Sequence, residues 1–151
     1  MKACTIGIIA VALALSSFGA QVDIFTAQDL QHVAEAPPAK GASYADHSLA
    51  RYGNHYLLLV TRKQTGSAEV HEHESDIFVV ERGAAAIVTG GKIVGGQTTK
   101  PGEIRGSGIE GGERHSLNTG DIIHIPSGVP HQLQLTPGKP FSYFVVKVSD
   151  R

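Results

Sequence analysis

Gly120-Asp121-Ile122-Ile123-His124-Ile125-Pro126-Ser127-Gly128-Val129-Pro130-His131 compresses a turn, a strand, a second turn and the head of another strand into one short stretch. Gly120-Asp121 is turn chemistry, and Ile122 to Ile125 is a short apolar β run. Pro126-Ser127-Gly128 reverses the chain again, because Pro presets φ and Gly accepts positive φ. Gln132 to Leu135 then continues as a strand that begins with a single histidine, His131. Ser127 is a turn residue here, since no strand-to-helix elbow surrounds it as a nucleophile would require.

The same grammar extends upstream and downstream. Tyr56 to Thr61, Ala68 to His73, Asp76 to Glu81, Ala84 to Thr89 and Phe141 to Val148 all read as β runs. Gly90-Gly91, between Ala84–Thr89 and Lys92–Val94, reads as a two-residue hairpin turn. Gly95 to Gly112 holds seven glycines and one proline and reads as loop and edge, with a weak strand near Ile104. Gly41 to Gly53 reads as irregular. One helix is expected near the start, capped by Thr26 with Asp29 three residues on, and ending at Pro37-Pro38. Short strands at close spacing with no helix between them imply an all-β antiparallel sandwich or barrel.

Composition agrees and excludes several classes. The chain has 151 residues, 41% hydrophobic and 18% charged, which is globular rather than disordered, collagen-like or coiled-coil. Its formal charge is 13 − 14 = −1, so no basic footprint for nucleic acid exists. Tryptophan is absent and aromatics are 6%, which argues against stacking platforms for bases or sugars.

Residues 1–20 have the order of a secretory signal peptide: a positive start at Lys2, an apolar run from Ile6 to Leu15, then small residues to Ala20. That run is too short to span a bilayer as a helix. Cleavage would remove Cys4, the only cysteine, and shift the charge to 12 − 14 = −2. The mature chain would then have no thiol, so any metal site must use His and carboxylates. The expected organisation is a signal peptide at 1–20, a helix and connecting segment at 21–56, and the β-barrel at 57–151.

His71 and His73 are two apart in a β context, which places both imidazoles on one face of a strand. Asp76 opens the next strand and can return to the same point. His131 arrives from far along the chain. Gly120, Pro126, Gly128 and His131 match the second motif of the cupins, and the chain resembles that family there. The order His71, His73, Asp76 and Gly83 resembles the first cupin motif, with Asp where Glu is usual and a shorter loop before it.

The resemblance implies a jelly-roll barrel holding one divalent metal on His71, His73, Asp76 and His131. Histidine plus carboxylate suits Fe, Mn, Ni, Cu or Zn, and four protein ligands leave open positions on an octahedral ion. Phe78 and Val80 share parity with Asp76, and Leu133 and Leu135 with His131, so all four should line the cavity. His124 is a further candidate for the cavity, against a plain packed or surface role, and Glu74 a substitute for Asp76. The functional expectation is a periplasmic or secreted metal-dependent enzyme on a small organic molecule, of oxygenase, decarboxylase or isomerase type. The alternative is a non-catalytic binding or sensor barrel, metal-free or not, and a third role is structural or storage. Ile77 and Val79 make the opposite face of their strand apolar, so a homodimer is expected, unless the helix covers that face.

Overall fold

A computed structural model describes residues 22–36, 39–40 and 42–150. The signal-peptide segment and Pro37-Pro38 lie outside the described residues. Helix α1 spans Ala27–Glu35, and its capping box is formed: Asp29 N–H donates to Thr26 Oγ1 while Thr26 N–H donates to the Asp29 carboxylate.

Thirteen strands follow among the described residues: β1 Tyr44–Arg51, β2 His55–Arg62, β3 Ala68–His71, β4 Glu74–Arg82, β5 Ala84–Thr89, β6 Lys92–Val94, β7 Gln97–Lys100, β8 Glu103–Gly106, β9 Gly108–Glu110, β10 Glu113–Asn118, β11 Ile122–Ile125, β12 His131–Gln134 and β13 Phe141–Ser149. They form an antiparallel jelly roll. One sheet has the order β1-β2-β13-β4-β11 and the other β10-β5-β12-β3-β8-β7, with β6-β9 as a separate ribbon. The inward residues of both sheets meet in one core that includes Val60, Phe78, Val80, Val145, Ile87, Leu117, Leu133 and Phe141. Alternation along each strand produces this, since every second side chain points in.

Three sequence expectations change. The stretch expected to be irregular contains β1, which pairs with Tyr56 to Arg62 of β2. Its residues carry little β pattern, and the unpaired edge of β2 supplies the pairing that decides it. Gly90-Gly91 is not a hairpin turn. β5 pairs with β10 and β6 with β9, so the two glycines interrupt one long ribbon rather than reverse it. A Cβ on Gly91 would meet the carbonyl oxygen of Glu110 across that ribbon. The glycine-rich stretch 95–112 holds β7, β8 and β9 rather than one weak strand.

The outer face of the first sheet is apolar, as Ile77 and Val79 suggested; both are half-buried. Helix α1 packs on β2 at this face and buries Ala34, while Leu59 beneath is fully buried. No helix among the described residues is long and apolar enough to cross a membrane.

Gly83 joins β4 to β5 at φ +91°, and a Cβ there would stand 2.5 Å from the Pro140 carbonyl oxygen. Gly83→Ala should therefore destabilise the protein by on the order of 1–3 kcal/mol. A urea midpoint equal to wild type would refute this.

Candidate metal centre

The site is built by register. On the second sheet His131 of β12 lies opposite Glu69 of β3, and Glu69 opposite Arg105 of β8. His71 lies opposite Glu103 in the next row. On the facing sheet Asp76 of β4 lies opposite Lys147 of β13. The Pro126-Ser127-Gly128 turn ties these elements together. Gly128 takes φ +75° and its N–H donates to the His71 carbonyl at 2.8 Å, while Ser127 N–H donates to Ser75 Oγ at 3.2 Å. The turn thus fixes the head of β12 against both β3 and β4.

His71, Asp76 and His131 converge inside the jelly roll. His71 Nε2 and His131 Nε2 each lie 3.6 Å from Asp76 Oδ2. These three atoms are buried and have no hydrogen-bond partner. His131 Nδ1 lies 3.1 Å from the Val129 carbonyl oxygen, an acceptor, so Nδ1 carries the proton and Nε2 presents its lone pair to the site. Burial, followed by the charge of Lys147, lowers the pKa of His71 and so favours its neutral imidazole. Lone pairs facing a carboxylate oxygen repel unless a cation lies between them, and imidazole nitrogen with carboxylate oxygen is a transition-metal donor set.

Glu69 completes the group. Its Oε1 is 3.4 Å from His131 Nε2, and the ligand atoms of Glu69, His71 and His131 lie within 4.8 Å of one another. Arg105 holds its other oxygen at 2.8 Å. Burial opposes ionisation of Glu69, while the charge of Arg105 at 2.8 Å favours it. Glu69 was absent from the sequence reading, although it stands two residues before His71, on the same face of the same strand. That spacing was the available signal.

His73 does not join the cluster. β3 ends at His71, alternation ends with it, and His73 is exposed in the turn before β4. The short His73-to-Asp76 loop accounts for this: the chain must reverse immediately to start β4 at Glu74. Glu74 accepts from Tyr56 Oη at 3.1 Å and does not replace Asp76. His124 is exposed on β11 and does not face the cavity. Phe78 lines the cavity, whereas Val80, Leu133 and Leu135 are core.

Asp76 is 1% exposed, and its Oδ1 accepts from Lys147 Nζ at 2.6 Å. Glu103 lies 3.6 Å from His71 Nδ1 and is held by Arg105 Nε at 2.7 Å and Lys100 Nζ at 3.1 Å. Burial raises the Glu103 pKa, but hydrogen bonds from Arg105, Lys100 and Thr99 prevail and bring it down to about 2. A depressed folded-state pKa contributes stability above the unfolded value, and that stability is lost as pH falls. Unfolding free energy should therefore drop from about pH 4.3 toward about pH 2. Glu103→Gln should flatten that acid limb of the denaturant-unfolding profile; an unaltered limb would refute the assignment.

The cluster opens into a cavity of about 180 Å³ lined by both sheets, including Leu58, Val60, Phe78, Tyr143 and Arg62. That is small against the roughly 300–1,000 Å³ of drug-sized sites.

The family model described as the AraC-like ligand binding domain matches residues 109–151, which contain the His131 motif and the last strand. A search of the curated proteins finds no match. Among solved structures, a conserved protein with a double-stranded β-helix domain from Klebsiella pneumoniae is similar at TM-score 0.60 and 17% identity, over 87% of this chain and 93% of that one. The polyketide cyclase RemF from Streptomyces resistomycificus is similar at TM-score 0.51 and 19% identity, over 72% and 67%. A Cupin 2 conserved barrel domain protein from Salinispora arenicola is similar at TM-score 0.50 and 17% identity, over 70% and 76%. The chain thus shares the fold of these double-stranded β-helix and cupin-barrel structures.

Proposed function

We propose that the chain holds one divalent transition metal on His71, Asp76, His131 and Glu69 and acts on a small organic molecule in the adjoining cavity. The observation that carries this is the convergence of three buried, unpartnered atoms, His71 Nε2, Asp76 Oδ2 and His131 Nε2. A metal bound there supplies a Lewis acid with open positions. The chain's own residues do the rest. Val129 and Glu103 flank the outer nitrogens of the two imidazoles and orient them. Arg105 fixes Glu69, and Phe78 and Val145 keep one wall of the cavity apolar. Oxygenase, decarboxylase and isomerase chemistry all suit such a site, because the fold hosts each of them. The reading includes a periplasmic or secreted setting, from the signal-like order of residues 1–20, and a homodimer formed through the apolar face beside α1.

A second reading has its own support. Lys147 already neutralises Asp76, and Arg105 neutralises Glu69, so the cluster is balanced in charge without a metal. The matching family model is also that of a ligand-binding domain. A metal-free barrel that binds a small ligand without turnover fits these facts. Elemental analysis of protein purified without a His-tag separates the two: one metal per chain supports the metal centre, and none supports the binder.

A further inference from the structure

Arg62, the last residue of β2, is 8% exposed and lines the same cavity. Its Nε donates to Tyr143 Oη at 3.1 Å, and its guanidinium carbon lies 4.8 Å from the centre of the Tyr44 ring. Gly66 backs the group, since a Cβ there would stand 2.7 Å from Nη1. Among the described residues no carboxylate reaches Arg62 at ion-pair distance. The carboxylates of the inner cavity are engaged elsewhere: Asp76 with Lys147, Glu69 with Arg105, and Glu103 with Arg105 and Lys100. Asp46 also lines the cavity and forms no ion pair with Arg62. With only Nε hydrogen-bonded within the protein, the two Nη groups of this largely buried guanidinium have no protein acceptor and stay open to the cavity, where a ligand acceptor can reach them.

The path from Arg62 to the cluster is continuous. The Tyr143 ring packs on Phe78 with centres 4.6 Å apart, and Phe78 meets His131 edge-on at 6.4 Å. We propose that Arg62 receives a carboxylate of the small organic ligand, which lies along the Tyr143–Phe78 wall with its other end at the His71–Asp76–His131 cluster. Only the placement of that other end rests on the function proposed above. One planar fork at this end of the cavity suits a carboxylate rather than a phosphate dianion, since Arg51, the other lining cation without an ion pair, lies over the Tyr56 ring at the far end of β2.

The test is calorimetric titration of tag-free protein with malonate, using 1,3-propanediol and inorganic phosphate as controls. Wild type should bind malonate in preference to both. Arg62→Gln should weaken malonate by about 10- to 100-fold, the range of one lost charged hydrogen-bonding group, with metal content unchanged. Arg62→Lys should be intermediate, because the charge stays and the fork is lost. Gly66→Ala should weaken malonate by displacing the guanidinium, and it keeps the test decisive if Arg62→Gln fails to fold. Wild type that ignores malonate, or phosphate or diol binding as tightly, overturns the proposal. So does equal malonate affinity in folded Arg62 and Gly66 variants. A chain without metal that still binds malonate through Arg62 retires the metal reading and sustains this one.

Discussion

Replacing His71 and His131 together with alanine should abolish metal binding and leave a folded jelly roll. The two imidazoles come from β3 and β12 of one sheet, and each contributes a buried Nε2 that no protein group satisfies. Removing both takes away the nitrogen donors and leaves only carboxylates already paired with Arg105 and Lys147. The core of Val60, Val80, Ile87, Leu117 and Val145 contains neither histidine, so the strands keep their packing. Wild type should gain about 2.7 kcal/mol of stability at a metal concentration of 100 times Kd, and the double variant should gain nothing. Elemental analysis and metal-dependent melting check both halves. Full occupancy in the double variant would show that the ligands are elsewhere.

Lys147→Met should act in opposite directions on the metal-free protein and on its metal affinity. Asp76 is almost wholly buried and Lys147 is its cation at 2.6 Å. Without that partner the carboxylate is an orphaned buried charge, a change that destabilises by about 3–5 kcal/mol. The same ammonium repels a metal at Asp76. Unit charges 4 Å apart interact by about 4 kcal/mol at an effective dielectric of 20, and about 1.4 kcal/mol is tenfold. Divalent metal should therefore bind the variant about tenfold tighter or better and restore its lost stability. Calorimetry and denaturant unfolding with and without metal measure this. Unchanged affinity would mean that Asp76 faces no metal, and the metal-free binding barrel would then be the better reading.

The His131 motif was legible because its spacing is local: each of Gly120, Pro126 and Gly128 acts within its own turn, and the strand after Gly128 begins at His131. The β runs, the helix cap and the inward parity of Phe78 are local too, and alternation alone orders them. His73 shows where that logic ends. Alternation holds only inside a strand, and where β3 stops is decided by how early the chain must reverse to pair β4 with β13. The strand β1, drawn from a segment with little β pattern, exists because β2 offered an edge.

What the sequence by itself determined was the class of fold and the presence of His71, Asp76 and His131 at one site. Which groups accompany them was decided in three dimensions. Lys147, Glu103 and Arg105 reach the cluster only through the registers β13·β4 and β3·β8, and Arg62 reaches the cavity only because β2 lies beside β13. Pairing between strands far apart in the chain depends on which edges remain open after the others have closed, and no spacing in the sequence encodes that.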